Sequence, residues 1–178
     1  PEVLAQVPGA RFVLAGADNS QHDGFRQQTG LDYPTYFRQR YASAASRVEF
    51  KGFVDDETLQ ALYRDCDLFV APSLFESFGL IYLEAMNYGK AVIGCRSGGV
   101  PEVVEDGVTG ILVEPQDRGG LAQSITALLA SPQRLHAMGL AGRARLLDYF
   151  TYQRMARDFE AAYRRVIAQQ AAHEAGQP

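Results

Sequence analysis

The chain has 178 residues, 47% of them hydrophobic and 21% charged, with a formal net charge of −4. That length is enough for one domain with its own core, and the composition excludes a disordered chain. The charge balance leaves no basic footprint for nucleic acid or an anionic membrane, and no run approaches the ~18 apolar residues of a membrane span.

In chain order, Pro1-Glu2-Val3-Leu4 reads as the end of a helix already under way, as in a fragment of something longer. A short apolar run at residues 11–15 predicts a strand. Residues 17–46 are the least regular connection, and their polar, glycine-containing first half, 18–30, predicts an exposed loop. A helix is predicted over 33–44, then a strand at 47–50, a helix at 56–65 and a strand at 67–71. Next come a helix over 78–88, strands at 91–95 and 110–113 around a helix at 101–105, and helices at 117–130, 132–149 and 152–170. Asp55-Asp56 and Ser131-Pro132 suit helix starts, and Gly89 suits a helix end. The tail, 171–178, is expected to fray, leaving one domain over 1–170.

The strands are brief and apolar on both faces, as buried parallel strands are. Their alternation with helices predicts an α/β fold, a parallel sheet with helices on both faces in three layers. Ligands of such sheets bind beyond the carboxyl ends of the strands. Those segments read Gly16-Ala17-Asp18-Asn19, Lys51-Gly52-Phe53-Val54-Asp55, residues 72–79, and Arg96-Ser97-Gly98-Gly99-Val100-Pro101.

Residues 67–89 carry the strongest signal. A buried strand runs through Pro72-Ser73 into a loop, and a helix opens near residues 77–80. The first amides of a helix lack internal partners and face the positive end of its dipole. Ser77-Phe78-Gly79-Leu80 therefore has the form of a phosphate cradle, with an ordinary helix start capped by Ser77 as the plain alternative. Glu84 sits in an otherwise apolar helix, and its neighbours at three and four residues are Leu80, Ile81, Asn87 and Tyr88, none of them basic. An ionised carboxylate there must face solvent, a distant cation or a ligand's hydroxyls. Glu76 precedes the same helix start. Two carboxylates flanking an anion site suit a ligand with both phosphates and hydroxyls, such as a nucleotide sugar; the alternative is a wet-face Glu84 and a loop charge at Glu76.

Glu76-Ser77-Phe78-Gly79-Leu80 followed by Glu84 resembles the E-x7-E motif of retaining glycosyltransferases with the GT-B fold, family 4 (group 1) type. The resemblance runs from about Phe12 to Leu129. It implies the C-terminal, Rossmann-like, donor-binding domain of an enzyme that moves a sugar from a UDP- or GDP-sugar to an acceptor such as a glycan or lipid-linked glycan. It further implies that Glu76 is catalytic beside the donor sugar and that Glu84 holds the ribose. Ser77, Phe78, Gly79 and Leu80 would contact sugar and phosphate oxygens. Gly16 and the loop Phe53-Val54-Asp55 would line the donor site, the latter against the base; Gly98, Gly99 and Glu102 match a second nearby loop. No cofactor or metal is required, and Asp65-Cys66-Asp67 lies at the wrong end of a strand for a metal motif.

The Arg and Lys that neutralise the donor diphosphate in this family lie upstream of the present start. The resemblance implies that the acceptor-binding N-terminal domain belongs to the parent outside this sequence, and that any membrane contact would belong to it. The parent is thus expected to be a cytoplasmic enzyme, with peripheral contact at the inner membrane as the alternative, and the isolated chain to lack turnover. The alternative is a non-catalytic nucleotide-sugar-binding or assembly module. A generic dinucleotide site fails, because neither GxGxxG nor GxxxxGK[ST] occurs. Cys66 and Cys95 form neither a disulfide framework nor a zinc site, and Cys95 is expected to be a small buried hydrophobe. Arg96 reads as a surface charge, His22, His136 and His173 as surface residues, and Tyr33, Tyr36, Phe37 and Tyr41 as a packing face.

Overall fold

The computed structural model describes residues 1–18 and 24–175, with side chains through Gln170. The elements are α1 (Glu2–Gln6), β1 (Phe12–Ala15), α2 (Phe25–Thr29), α3 (Tyr33–Arg40), α4 (Ala42–Ala45) and β2 (Val48–Gly52). They continue with α5 (Asp56–Asp65), β3 (Leu68–Ala71), α6 (Leu80–Asn87), β4 (Ala91–Cys95), α7 (Val100–Val103) and β5 (Gly110–Val113). The last three are α8 (Arg118–Leu129), α9 (Pro132–Tyr149) and α10 (Tyr152–Ala175).

All pairings are parallel. β3, β4 and β5 form a three-stranded sheet in that order, and β1 and β2 form a separate pair. In β3, β4 and β5 side chains alternate between two helix layers, which is why these three strands are apolar throughout, whereas β2 alternates and exposes Glu49 and Lys51, against the expectation that it is apolar on both faces. From β4, Val92 packs with Tyr82, Leu83 and Met86 of α6 and with Val100 and Val103 of α7. Ala91, Ile93 and Cys95 face the other way, into a cluster with Val3 of α1, Ile125 and Leu128 of α8 and Met138 of α9. β5 splits likewise, Leu112 to the first cluster and Val113 to the second. The architecture is the Rossmann-like, three-layer α/β arrangement that the strand–helix alternation predicts.

Four further expectations change. The helix over 33–44 breaks at Tyr41 into α3 and α4, because Tyr41 leaves the helical region, at φ −128°, ψ 51°. Inside the expected loop 18–30, residues 25–29 form α2, bounded by left-handed Gly24 and Gly30 and tied down by Phe25 packing on Tyr33 and Tyr36; residues 19–23, with His22, lie outside the described residues. β1 is not buried on both faces: Val13 and Leu14 are 46% and 41% exposed, because among the described residues only β2 pairs with this strand. At the other end, α10 continues through Ala175, beyond the expected end at Gln170.

Candidate functional site

β3 ends at Ala71, and residues 72–79 then cross to the start of α6. Tyr82, fully buried on α6, reaches back under this loop and donates its hydroxyl to the Ala71 carbonyl oxygen at 2.6 Å. Burial, aided by the nearby Glu76 charge, pushes this phenol up to about 12. Gly79 is the N-cap in the left-handed region, φ 91° and ψ 52°, and a Cβ there would lie 2.7 Å from the Tyr82 ring. The glycine is therefore required by the fold itself, before any ligand approaches. Ser77 does not cap α6, whose start has no side-chain cap. Among the described residues no acceptor within the chain meets the amides of Phe78, Gly79, Leu80 or Ile81. That leaves an open donor cluster at the positive end of a helix.

A second loop clamps the first. Past β4, Ser97 Oγ donates to the Leu74 carbonyl at 2.7 Å, and the Gly99 amide donates to the Glu76 carbonyl at 2.8 Å. A Cβ on Gly98 would lie 2.0 Å from the Glu76 carbonyl oxygen, and one on Gly99 would lie 2.4 Å from that of Ser77. The glycine pair thus lets two backbones touch, and its effect on a ligand runs through the placement of Glu76 and Ser77. Phe78 turns its ring away, edge-on to Phe150 at 5.9 Å, so its amide rather than its side chain is available to the cradle.

Glu84 lies on the exposed side of α6 and accepts a 2.8 Å hydrogen bond from the Tyr63 hydroxyl of α5. The solvent-facing alternative therefore holds in part, with a neutral phenol as the partner that residues three and four away do not supply. Burial first, and then the Glu84 carboxylate, raises Tyr63 far above its ordinary range, so it stays a donor. Sequence reasoning missed Tyr63, Tyr82 and Ser97. A tyrosine on the buried stripe of α5, whose hydroxyl must find an acceptor, was the available signal for the first.

The remaining candidates form a separate group at the carboxyl ends of β1 and β2. The Gly16 amide bonds the Gly52 carbonyl at 2.8 Å, which joins the two loop starts. Phe53 is 86% exposed, and Val54 is partly buried. Asp55 caps α5 by accepting from the Thr58 amide at 2.8 Å, and those bonds hold its carboxyl below the usual range. Among the described residues no hydrogen bond or ring contact links this group to the loop at 72–79. Arg96 is engaged by Asp106 at 2.6 Å and Glu114 at 3.3 Å, as a surface charge. Cys95 is buried within the core and His136 is exposed, as expected. Among the described residues, no group of three or more metal-ligating side chains gathers, and no helix is long and apolar enough to cross a membrane.

The family model described as "Glycosyl transferases group 1" matches residues 1–131, most of the chain and all of the site described above. The chain belongs to this family. Among curated relatives, the D-inositol 3-phosphate glycosyltransferase of Segniliparus rotundus is 39% identical over 175 residues, 93% of this chain and 35% of that protein. The alpha-maltose-1-phosphate synthase of Mycolicibacterium smegmatis is 39% identical over 107 residues, 57% of this chain and 28% of that protein. Among solved structures, the sucrose-phosphate synthase of Thermosynechococcus elongatus superposes with a TM-score of 0.76 at 33% identity, covering 94% of this chain and 41% of that one. Anabaena HepE in complex with UDP gives a TM-score of 0.72 at 26% identity, covering 90% and 44%. The group 1 chain described here spans about a third of the length of these curated relatives.

Proposed function

We propose that this chain is the donor-binding, C-terminal domain of a retaining GT-B glycosyltransferase of the family 4 type, acting in the cytoplasm on a UDP- or GDP-sugar. One observation carries the reading. The uncapped start of α6, with its open amides, lies between Glu76 on the preceding loop and Glu84 on the helix. The amides of Phe78, Gly79 and Leu80 receive diphosphate and sugar oxygens. Glu84 accepts from the ribose hydroxyls, and Glu76 supports the donor sugar as positive charge develops at its anomeric carbon. Gly16 and Phe53-Val54-Asp55 form the rim on which the base rests. The chemistry is positional and electrostatic, and no metal enters it.

The acceptor is bound by an N-terminal domain of the same parent, which also makes any membrane contact. The divided sheet fits a parent with more chain before Pro1. Among the described residues β1 and β3 each have one unpaired edge. A further parallel strand between them would complete the doubly wound order, and its carboxyl end would bring cations to the diphosphate. On its own the chain has half of a site and no turnover.

Calorimetric titration of the full-length protein with UDP, GDP and ADP tests the proposal. One nucleotide is expected to bind, and Glu84→Gln is expected to weaken it by about 10-fold or more, since a charge-assisted hydrogen bond is lost. Binding of none, or equal binding by the variant, refutes the assignment.

A further inference from the structure

The donor-site reading assigns the ribose to Glu84 and leaves open how an exposed glutamate is held ready for it. Resting on that reading, we propose that Tyr63 is a positioning residue: its hydroxyl fixes Glu84 in the rotamer that accepts the ribose hydroxyls, and so tunes the preference of the site for ribonucleotides.

Glu84 is solvent-exposed on α6, and among the described residues it has no ion pair and no hydrogen bond besides that from Tyr63. An unrestrained glutamate at such a position samples several rotamers, and a ligand that needs one of them must immobilise the side chain on binding. Tyr63 is itself immobile. It is 6% exposed, stacked on Tyr88 at 6.2 Å with planes 13° apart, and packed on Phe69 at 5.4 Å. Its hydroxyl therefore projects from a fixed ring and takes Oε2 of Glu84 at 2.8 Å. Oε1 and the remaining lone pair of Oε2 stay free, enough for the two donors of a vicinal diol.

The choice of partner also matters. An arginine or lysine would fix the carboxylate equally well, but it would neutralise Glu84 and draw the donor's phosphates toward the ribose end. A phenol orients the group and leaves its charge intact. Burial and the Glu84 carboxylate raise the Tyr63 phenol above its ordinary range, so it remains a donor at neutral pH. Phosphates are then directed to the open amides of α6 and hydroxyls to Glu84.

The test uses the full-length protein and whichever of UDP, GDP or ADP binds most tightly, beside the 2′,3′-dideoxy form of the same nucleotide. Tyr63→Phe is expected to weaken the ribonucleotide on the order of 2- to 12-fold, the effect of freeing one side chain that the ligand must then order. Binding of the dideoxy form should not change. The Tyr63→Phe/Glu84→Gln double variant should bind the ribonucleotide no more weakly than Glu84→Gln alone. Equal loss for both nucleotides would make Tyr63 merely structural, and no loss for the ribonucleotide would remove its role; either overturns the inference. A wild-type protein that binds no nucleotide, or a Glu84→Gln variant that binds like wild type, would overturn the donor-site reading and this inference with it. Should Tyr63→Phe not fold, Glu84→Asp breaks the same bond from an exposed position. It is expected to weaken the ribonucleotide alone, and unchanged affinity would refute the proposal.

Discussion

Replacing Gly99 by alanine adds a single methyl group where the two loops of the site cross. Its backbone, φ −82° and ψ −3°, suits alanine, whereas Gly98 sits at φ 55°, so Gly99 separates the steric question from left-handed strain. The new Cβ would meet the Ser77 carbonyl oxygen at 2.4 Å and the Phe78 Cα at 2.9 Å. Both neighbours are backbone and cannot rotate aside. Ordinary contact begins near 3.4 Å, so the loop carrying Glu76 has to retreat by roughly 1 Å. The retreat opens the 2.8 Å bond from the Gly99 amide to the Glu76 carbonyl. Overpacking of this kind costs about 1–3 kcal/mol and the lost bond about 1 kcal/mol more. A combined loss of roughly 2–4 kcal/mol lowers the melting temperature by about 5–15 °C in a domain of this size. A displacement of that size at a reacting centre lowers turnover by ~100-fold. The assay pairs thermal melts of the chain with sugar transfer by the full-length protein. Gly9→Ala, where a Cβ meets nothing within 4 Å, is the control. A Gly99→Ala protein that melts within about 2 °C of wild type and transfers at an unchanged rate would refute the loop-crossing argument.

Two further predictions concern the supports of the site. Tyr82 is raised from its ordinary 10.0 to about 12 on folding, so its contribution is complete below pH 10 and is lost as pH climbs toward 12. Two units correspond to about 2–3 kcal/mol; urea melts should show Tyr82→Phe less stable at pH 8 but with a shallower decline between pH 10 and 12, and parallel declines would refute the assignment. Arg145 closes the carboxyl end of α7, donating Nε to Val103 O at 3.0 Å and a terminal nitrogen to Glu102 O at 2.8 Å. Arg145→Met should cost about 2–4 kcal/mol by thermal melt, and Arg145→Lys should recover little of it, because one ammonium cannot reproduce the two-pronged fork.

The fold was legible wherever one physical demand dominated. β4 and β5 lie at the expected residues because both their faces meet a helix layer, which leaves an unbroken apolar run with sharp ends. α5 and α9 begin where a cap or a proline announces them: Asp55 accepts from the Thr58 amide, and Pro132 opens α9. Legibility failed where local and tertiary demands compete. α2 has no apolar periodicity of its own and exists because Phe25 packs edge-on to Tyr36, a contact between segments that no window of sequence displays. The exposure of Val13 and Leu14 was equally invisible, since β1 has the composition of a central strand but only one neighbour.

In the site, the spacing of Glu76 and Glu84 could be read directly, but the means by which each is held could not. Glu76 is placed by backbone: Tyr82 anchors the end of β3, Ser97 and Gly99 grip the loop beyond it, and the carboxylate follows. Glu84 is placed by a side chain, Tyr63, from a helix 21 residues earlier. The two modes match the two tasks proposed for them. A group beside the reacting sugar has to resist displacement as charge develops, and a clamp of close-packed backbone is the stiffer support. A group that receives a ribose has only to present its free oxygens in one orientation, and a single hydrogen bond from a fixed phenol is enough for that. Mutations at the glycine pair should therefore act mainly on turnover, whereas mutations at Tyr63 should act mainly on nucleotide affinity. Equal effects of both on affinity alone would mean that Glu76 and Glu84 serve a single binding function.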